Sequence, residues 1–127
     1  MTPHLNDPSV VVAVRSSFER YEQALVSDDW AVMTELFLDG PEVVRFGISD
    51  AQYGSEELAL WRAAQPPHRP GRELIEVGIA TYGDSLAVVT TSFAYPGRSL
   101  LGRQSQTWVR FDSGWRIVHA HVSEIAM

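Results

Sequence analysis

The sequence predicts an α+β fold in which three N-terminal helices pack on a curved, mainly antiparallel sheet. Two observations support this prediction. Up to about residue 65, apolar residues recur with the spacing of amphipathic helices, whereas from residue 72 onward they recur at every second position, as in strands. Helices that precede a run of hairpins indicate a helical layer on one face of a sheet. A strongly curved sheet crossed by a long helix forms a cone open at one end, and such a cavity is a default ligand site.

The first predicted helix has a clear start and one apolar face. Asp7 suits the N-cap and Pro8 the first helical position. The apolar stripe of this helix consists of Val11, Val14, Phe18, Tyr21 and Leu25. The charged and polar residues between them, Glu22 included, are predicted to be exposed. The helix should end near Ser27.

Two shorter helices and a short strand follow. Asp28 or Asp29 should cap the second helix, whose apolar residues are Trp30, Met33, Leu36 and Phe37. Residues 42–46 are predicted to form a strand and residues 47–54 a loop. Ser55 should cap the third helix, which buries Leu58, Leu60 and Trp61 and ends before two prolines.

The rest of the chain is predicted to form two long hairpins. The first joins residues 72–82 and 85–95, and the second joins residues 101–111 and 115–123. In the last hairpin, alternation places Gln104, Gln106 and Trp108 on one face. It also separates Trp115, Ile117, His119 and His121 from Val118, Ala120 and Val122. The family resemblance described below implies that the small apolar set lines the cone, which would place Trp115 and the two histidines in a subunit interface.

Composition limits the classes of function. A net charge of −6 argues against a nucleic-acid partner. The absence of cysteine excludes disulfides and thiolate chemistry, and no apolar run suggests a signal peptide or a membrane span. We therefore expect a cytoplasmic protein with residues 1–7 as a polar tail and residues 8–127 as one domain. We expect no cofactor and no metal, because two histidines two positions apart are weak evidence for a metal site.

Two sets of motifs resemble known families. Residues 114–123, GWRIVHAHVS, resemble the terminal strand of the nuclear transport factor 2-like superfamily, which includes SnoaL-like and ketosteroid isomerase-like proteins. About residues 8–124 resemble the AtzH-like family, which includes the HpxZ proteins of oxalurate catabolism. The motifs that carry this resemblance are FERY from residue 18, VVRFG from residue 43 and GRQSQTW from residue 102. The resemblance implies a decarboxylating amidohydrolase of nitrogen catabolism that acts on a small carboxylated urea.

Two residues are candidates for catalysis. Tyr21 lies on the buried stripe, either as a core tyrosine or, as the resemblance implies, as a hydrogen-bond donor or acid in the cavity. Arg45 lies in an apolar strand and must be paired if it is buried. Its partner is either an acidic side chain or, as the resemblance implies, a substrate carboxylate that matches the guanidinium fork.

Four further residues are candidates for substrate binding. Gln104 and Gln106 either orient a urea-like substrate or make cross-strand hydrogen bonds. Tyr53 and Arg62 either close the mouth of the cavity or serve as an ordinary core contact and a surface salt bridge. The expected partners are a small anionic substrate and a second copy of the chain, because the helices cover only one face of the sheet.

Two alternatives to this function remain open. An isomerase or dehydratase of the ketosteroid isomerase or SnoaL type would need a carboxylate or histidine base in the cavity, and Glu76 is the one mid-strand carboxylate. A non-catalytic binding or dimerisation module would have an unbroken apolar lining, which Arg45 contradicts.

Overall fold

A computed structural model describes residues 1–127 and confirms the predicted α+β cone. The elements are α1 (Pro8–Val26), α2 (Trp30–Leu36), β1 (Val44–Phe46), β2 (Ala51–Tyr53), α3 (Ser55–Ala63), β3 (Glu73–Tyr82), β4 (Leu86–Ala94), β5 (Leu100–Phe111) and β6 (Gly114–Ala126). The six strands form one sheet in the order β2-β1-β6-β5-β4-β3. All neighbours are antiparallel except β1 and β6, which pair in parallel.

The long helix α1 begins and packs largely as its sequence predicts. The Asp7 carboxylate accepts a hydrogen bond from the Ser9 N–H at 2.9 Å, and Phe18 and Tyr21 are buried in the core. The predicted exposure of Glu22 is wrong, because only 8% of this residue is accessible. Glu22 lies at the edge of the apolar stripe, where an ion pair with Arg72 on β3's N-terminal side compensates its burial.

Two details of α3 differ from the prediction. Gly54 occupies the N-cap position instead of Ser55, and the Ser55 hydroxyl accepts a hydrogen bond from the Gly40 N–H at 2.9 Å. Leu60, predicted to be buried, is 70% exposed. The apolar face of α3 is narrow, because Leu58 and the aliphatic stem of Arg62 already occupy the positions that face the core.

Strand β2 was not predicted, because its three residues lie in the segment interpreted as a loop. It pairs antiparallel with β1, and Arg45 lies opposite Gln52. The alternation along β2 buries Gln52 and exposes Tyr53. A strand this short carries too little alternation to be recognised from sequence, and its pairing with β1 determines its structure.

A bulge in β6 changes which residues face the core. Trp108 lies opposite Ile117 but Thr107 lies opposite His119, so Val118 has no partner on β5. This extra residue shifts the alternation by one position. Ile117 therefore faces the core before the bulge and Ala120 faces it after the bulge. Trp115, predicted to lie in an interface, is instead a core residue that is 7% exposed.

The predicted polar tail is hydrogen-bonded to the sheet edge. Leu5 forms a bridge with Tyr82 on the edge strand β3. The Asn6 side chain accepts from the Thr81 N–H at 2.9 Å, and the Asn6 N–H donates to the Thr81 carbonyl at 3.0 Å. The tail thus covers part of an exposed strand edge. No helix of the structure has the length and apolarity needed to cross a membrane.

Candidate active site

A cavity of about 330 Å³ lies between the helices and the concave face of the sheet. Its walls come from α1, α2 and α3 on one side and from β1, β4, β5 and β6 on the other. The segments before β3 and after β4 complete the lining. A volume near the lower end of the range for ligand pockets suits a small molecule. Ala120 and Val122 line it, as predicted for the small apolar residues of β6.

Arg45 reaches the cavity from the centre of β1 and is held from three sides. Its Nη1 donates to the Asp50 carboxylate at 2.8 Å and to the Gln52 side-chain carbonyl at 2.9 Å. Its guanidinium lies 4.4 Å from the centre of the Trp61 ring. Nη2 and Nε have no protein partner. Of the two alternatives for the partner of Arg45, the structure shows the ion pair with an acidic side chain. It leaves part of the guanidinium fork free for a ligand.

Arg62 is the one buried cavity arginine whose charge no carboxylate neutralises. It is 5% exposed, deeper than the mouth position predicted for it, and it forms no salt bridge. Its guanidinium lies 5.0 Å from the centre of the Phe37 ring. Burial lowers the pKa of Arg62, and the phenol of Tyr21 acts in the opposite direction. A buried cation without a carboxylate partner is costly unless a ligand supplies the missing charge.

Tyr21 points from α1 into the same cavity. It is 7% exposed, and its ring packs edge-on against Phe37 with the ring centres 6.0 Å apart. Burial raises the pKa of Tyr21 above its usual value, and the positive charge of Arg62 opposes that rise. The phenol therefore stays protonated near neutral pH and acts as a hydrogen-bond donor or an acid, in preference to a base.

Gln104 belongs to a buried network that also contains Glu22 and Arg72. The Arg72 guanidinium donates to the Glu22 carboxylate at 2.8 and 3.3 Å and to the Gln104 side-chain carbonyl at 3.0 Å. The Gln104 amide in turn donates to Glu22 at 3.1 Å. Both polar atoms of Gln104 are thus engaged within the protein. Glu22 and Arg72 were not among the predicted site residues. The available sign was an arginine at the start of a strand with both faces covered, because a buried arginine requires a partner.

Gln106 faces the cavity with a free hydrogen-bond donor. Its side-chain carbonyl accepts from the Trp108 indole N–H at 3.1 Å. Because an indole N–H can only donate, the oxygen of the amide must point to Trp108 and the NH₂ group away from it. Gln106 lies opposite Ala120, which in turn lies opposite Arg45. Two strand spacings, about 10 Å, therefore separate the main chains of Gln106 and Arg45.

Several predicted residues lie outside this cavity. Tyr53 is 63% exposed and packs edge-on against Phe46, so its predicted position at the mouth is wrong. His119 and His121 flank Phe46 and do not line the cavity, as expected for residues facing away from the cone. Glu76 is exposed at an irregularity in β3. No cluster of three or more His, Asp or Glu side chains could hold a metal ion.

The cavity also contains titratable residues that the sequence analysis did not identify. His68, Asp28 and Glu124 line it. These residues include the carboxylate and histidine bases that an isomerase or dehydratase would need in the cavity, whereas Glu76 lies outside it. His68 lies in a segment rich in proline, arginine and glycine, and its local sequence gives no sign that its side chain turns inward.

Comparison with known proteins identifies close relatives along the whole chain. A family model described as AtzH-like matches residues 3–127. A cystatin-like fold protein from Burkholderia xenovorans is 42% identical, with a TM-score of 0.96 and 98% of each chain covered. A protein of unknown function from Pectobacterium atrosepticum is 43% identical, with a TM-score of 0.93, and the match covers 96% of this chain and 95% of that one. No functionally curated protein matches the sequence significantly.

More distant structures share the fold alone. A ketosteroid isomerase-like protein from Erwinia carotovora atroseptica is 15% identical, with a TM-score of 0.73 and coverage of 95% of this chain and 100% of that one. These neighbours show that the chain has the fold of nuclear transport factor 2-like proteins. At this identity they carry no information about the substrate.

Proposed function

The chain belongs to the AtzH-like family, and on this premise we propose that it is a cofactor-independent decarboxylating amidohydrolase of a small carboxylated urea. The observation that carries the proposal is the buried, unneutralised guanidinium of Arg62 in a cavity that also receives Tyr21. A substrate carboxylate would supply the negative charge that no protein group provides. The positive cavity also contrasts with the net charge of −6 of the whole chain.

The proposed binding mode assigns one part of the substrate to each free donor. Arg62 binds a carboxylate, and the unpartnered Nη2 and Nε of Arg45 bind a second carboxylate or the urea oxygen. The Gln106 NH₂ group donates to a substrate oxygen from the opposite wall. Gln104 acts indirectly, since it holds Arg72 and Glu22 in place.

Tyr21 supplies the hydrogen bond or proton that the reaction needs. When an N-carboxylate is lost, the bond between nitrogen and the carboxyl carbon breaks and its electron pair stays on nitrogen. The nitrogen takes up one proton and the carboxylate leaves as carbon dioxide. A protonated phenol beside two guanidinium groups can donate toward that nitrogen. Binding and proton delivery would then suffice for the decarboxylation without a covalent nucleophile. The amide hydrolysis in addition consumes one water, whose oxygen adds to the amide carbonyl carbon while the C–N bond breaks and ammonia leaves.

The direct test is release of carbon dioxide from a carboxylated urea by the purified protein. The proposal expects release above the spontaneous rate and its loss in Arg62→Met. Arg103→Gln is a matched control, because Arg103 is an exposed arginine that does not line the cavity. Equal rates with and without protein would refute the proposed activity.

An isomerase or dehydratase is the second candidate, and one observation favours it. His68, Asp28 and Glu124 offer cavity bases for proton abstraction next to a carbonyl, and the ketosteroid isomerase-like neighbour has the same fold. Solvent deuterium exchange into a small ketone or keto acid, absent in His68→Gln, would support this candidate. The arginines in the lining of the cavity speak against a purely structural module.

A further inference from the structure

His68 is the one partly buried residue of an otherwise exposed linker. Between Pro66 and Gly71 every residue except His68 is exposed, and His68 lines the cavity. Two contacts fix it: its main-chain N–H donates to the Asp28 carboxylate at 2.9 Å, and its Nε2 lies 2.9 Å from the Tyr95 hydroxyl. A linker of this composition has a high conformational entropy, so holding one imidazole inward requires these anchors.

The charges around His68 are arranged so that an anion in the cavity would change its protonation. Burial lowers the pKa of His68, the positive charge of Arg72 lowers it further, and Asp28 and Glu22 oppose both effects. The other charged groups that line the cavity are Arg45, Arg62, Arg69, Arg98 and Glu124. Five arginines and two carboxylates thus line the cavity. The lowered pKa of His68 favours the neutral imidazole near neutral pH.

We propose that His68 takes up a proton from solvent when a small dianion occupies the cavity, so that the ligand and one proton bind together. The inference rests on the proposed function only in that it needs an anion in this cavity. The imidazole is half-buried, so it contacts both solvent and the cavity. His68 then brings into the cavity one proton for each anion bound, which is the stoichiometry that loss of one N-carboxylate consumes.

The sign of the pH dependence follows from linkage. If the bound anion raises the pKa of His68, the protein takes up a proton at any pH between the free and bound values. Anion affinity must then rise as the pH falls through that interval. A rise of one pKa unit corresponds to about tenfold tighter binding to the protonated than to the neutral form. Tyr95 should restrain the ring in either state.

Oxalate is a suitable probe, because it is a small dianion that stays fully ionised around the ordinary histidine pKa of about 6.5. The four histidine rings can be followed by NMR through a pH titration of the wild-type protein, with and without saturating oxalate. His68→Gln assigns the signal of His68, and His4→Gln provides an exposed control. Calorimetry of oxalate binding in buffers of different ionisation enthalpy measures the proton uptake independently.

The expected result is a rise of about one unit or more in the pKa of His68 on oxalate binding. Oxalate should leave the ring signals of the other three histidines, His4, His119 and His121, unchanged. Proton uptake should be absent in His68→Gln. Oxalate binding without a change at His68 would overturn the inference and leave the proposed function intact. If oxalate does not bind at all, both fail. Should His68→Gln not fold, selective broadening by a relaxation agent attached near Tyr95 still assigns the wild-type signal.

Discussion

Replacing Arg62 by methionine should stabilise the protein and weaken its binding of small dianions. The arginine is 5% exposed and has no carboxylate partner, so the folded protein bears the desolvation of an isolated charge. Methionine has a similar length and fills irregular space without that charge. The opposite effects on stability and binding are what a residue kept for a ligand should show.

The magnitude follows from two opposing terms. The substitution removes a desolvation cost of several kcal/mol for one buried ion. It also removes the cation–π contact with Phe37, in which 5.0 Å separates the charge from the ring centre and which contributes about 1 to 2 kcal/mol. We expect a net stabilisation of about 1 to 2 kcal/mol and a melting temperature higher by about 3 to 8 °C. Loss of a charge-assisted hydrogen bond should weaken oxalate binding by about 10- to 150-fold.

Thermal melts and isothermal titration with oxalate measure the two effects on the same samples. Arg72→Met is the matched control, because Arg72 is an equally buried cavity arginine that is paired. Its removal leaves the Glu22 carboxylate buried and unpaired, and should destabilise the protein by about 3 to 5 kcal/mol. A lower melting temperature of Arg62→Met together with unchanged oxalate affinity would show that Arg62 is a structural cation. That result would refute the claim that Arg62 binds the ligand at a cost in stability.

Three other predictions follow from the same geometry. Tyr21→Phe keeps the edge-on packing on Phe37 and should lower turnover with little change in oxalate affinity or melting temperature; full turnover would remove Tyr21 from the mechanism. Arg45→Lys should lose activity, because a lysine cannot donate to Asp50 and also present a second pair of donors to a ligand. Wild-type kinetics of this variant would contradict the prediction. Sedimentation at micromolar concentration should show a homodimer through the outer face of the sheet that His121→Glu dissociates, and a wild-type monomer would end this proposal.

The sequence was sufficient for the fold because periodicity is local and repeated. The stripe of α1 and the alternation of the last hairpin each contain enough positions to define a face. The same patterns placed Tyr21, Arg45 and Gln106 where the cavity forms. Tyr21 and Arg45 could therefore be assigned to the inside of the cone from the residues that surround them in sequence.

The remaining parts of the site depend on long-range contacts and a register shift, which the local sequence does not indicate. The bulge that leaves Val118 without a partner on β5 has no recognisable sequence signal. It nevertheless places Trp115 in the core instead of the predicted interface. Glu22 is buried only because Arg72, distant in sequence, reaches it. His68 turns inward because Asp28 and Tyr95 hold it, and neither is near it in the chain. Each error arises from a long-range polar contact or a one-residue shift in register.

A crystal structure of the protein with bound oxalate would show directly whether Arg62 binds a carboxylate in the cavity. We predict one carboxylate at about 2.7 to 2.9 Å from the Arg62 guanidinium. The Tyr21 hydroxyl and the free nitrogens of Arg45 should also contact the oxalate. Oxalate bound only to the exposed Arg69, or to the groove on the other side of Arg62 that Glu35 and Arg116 line, would contradict it.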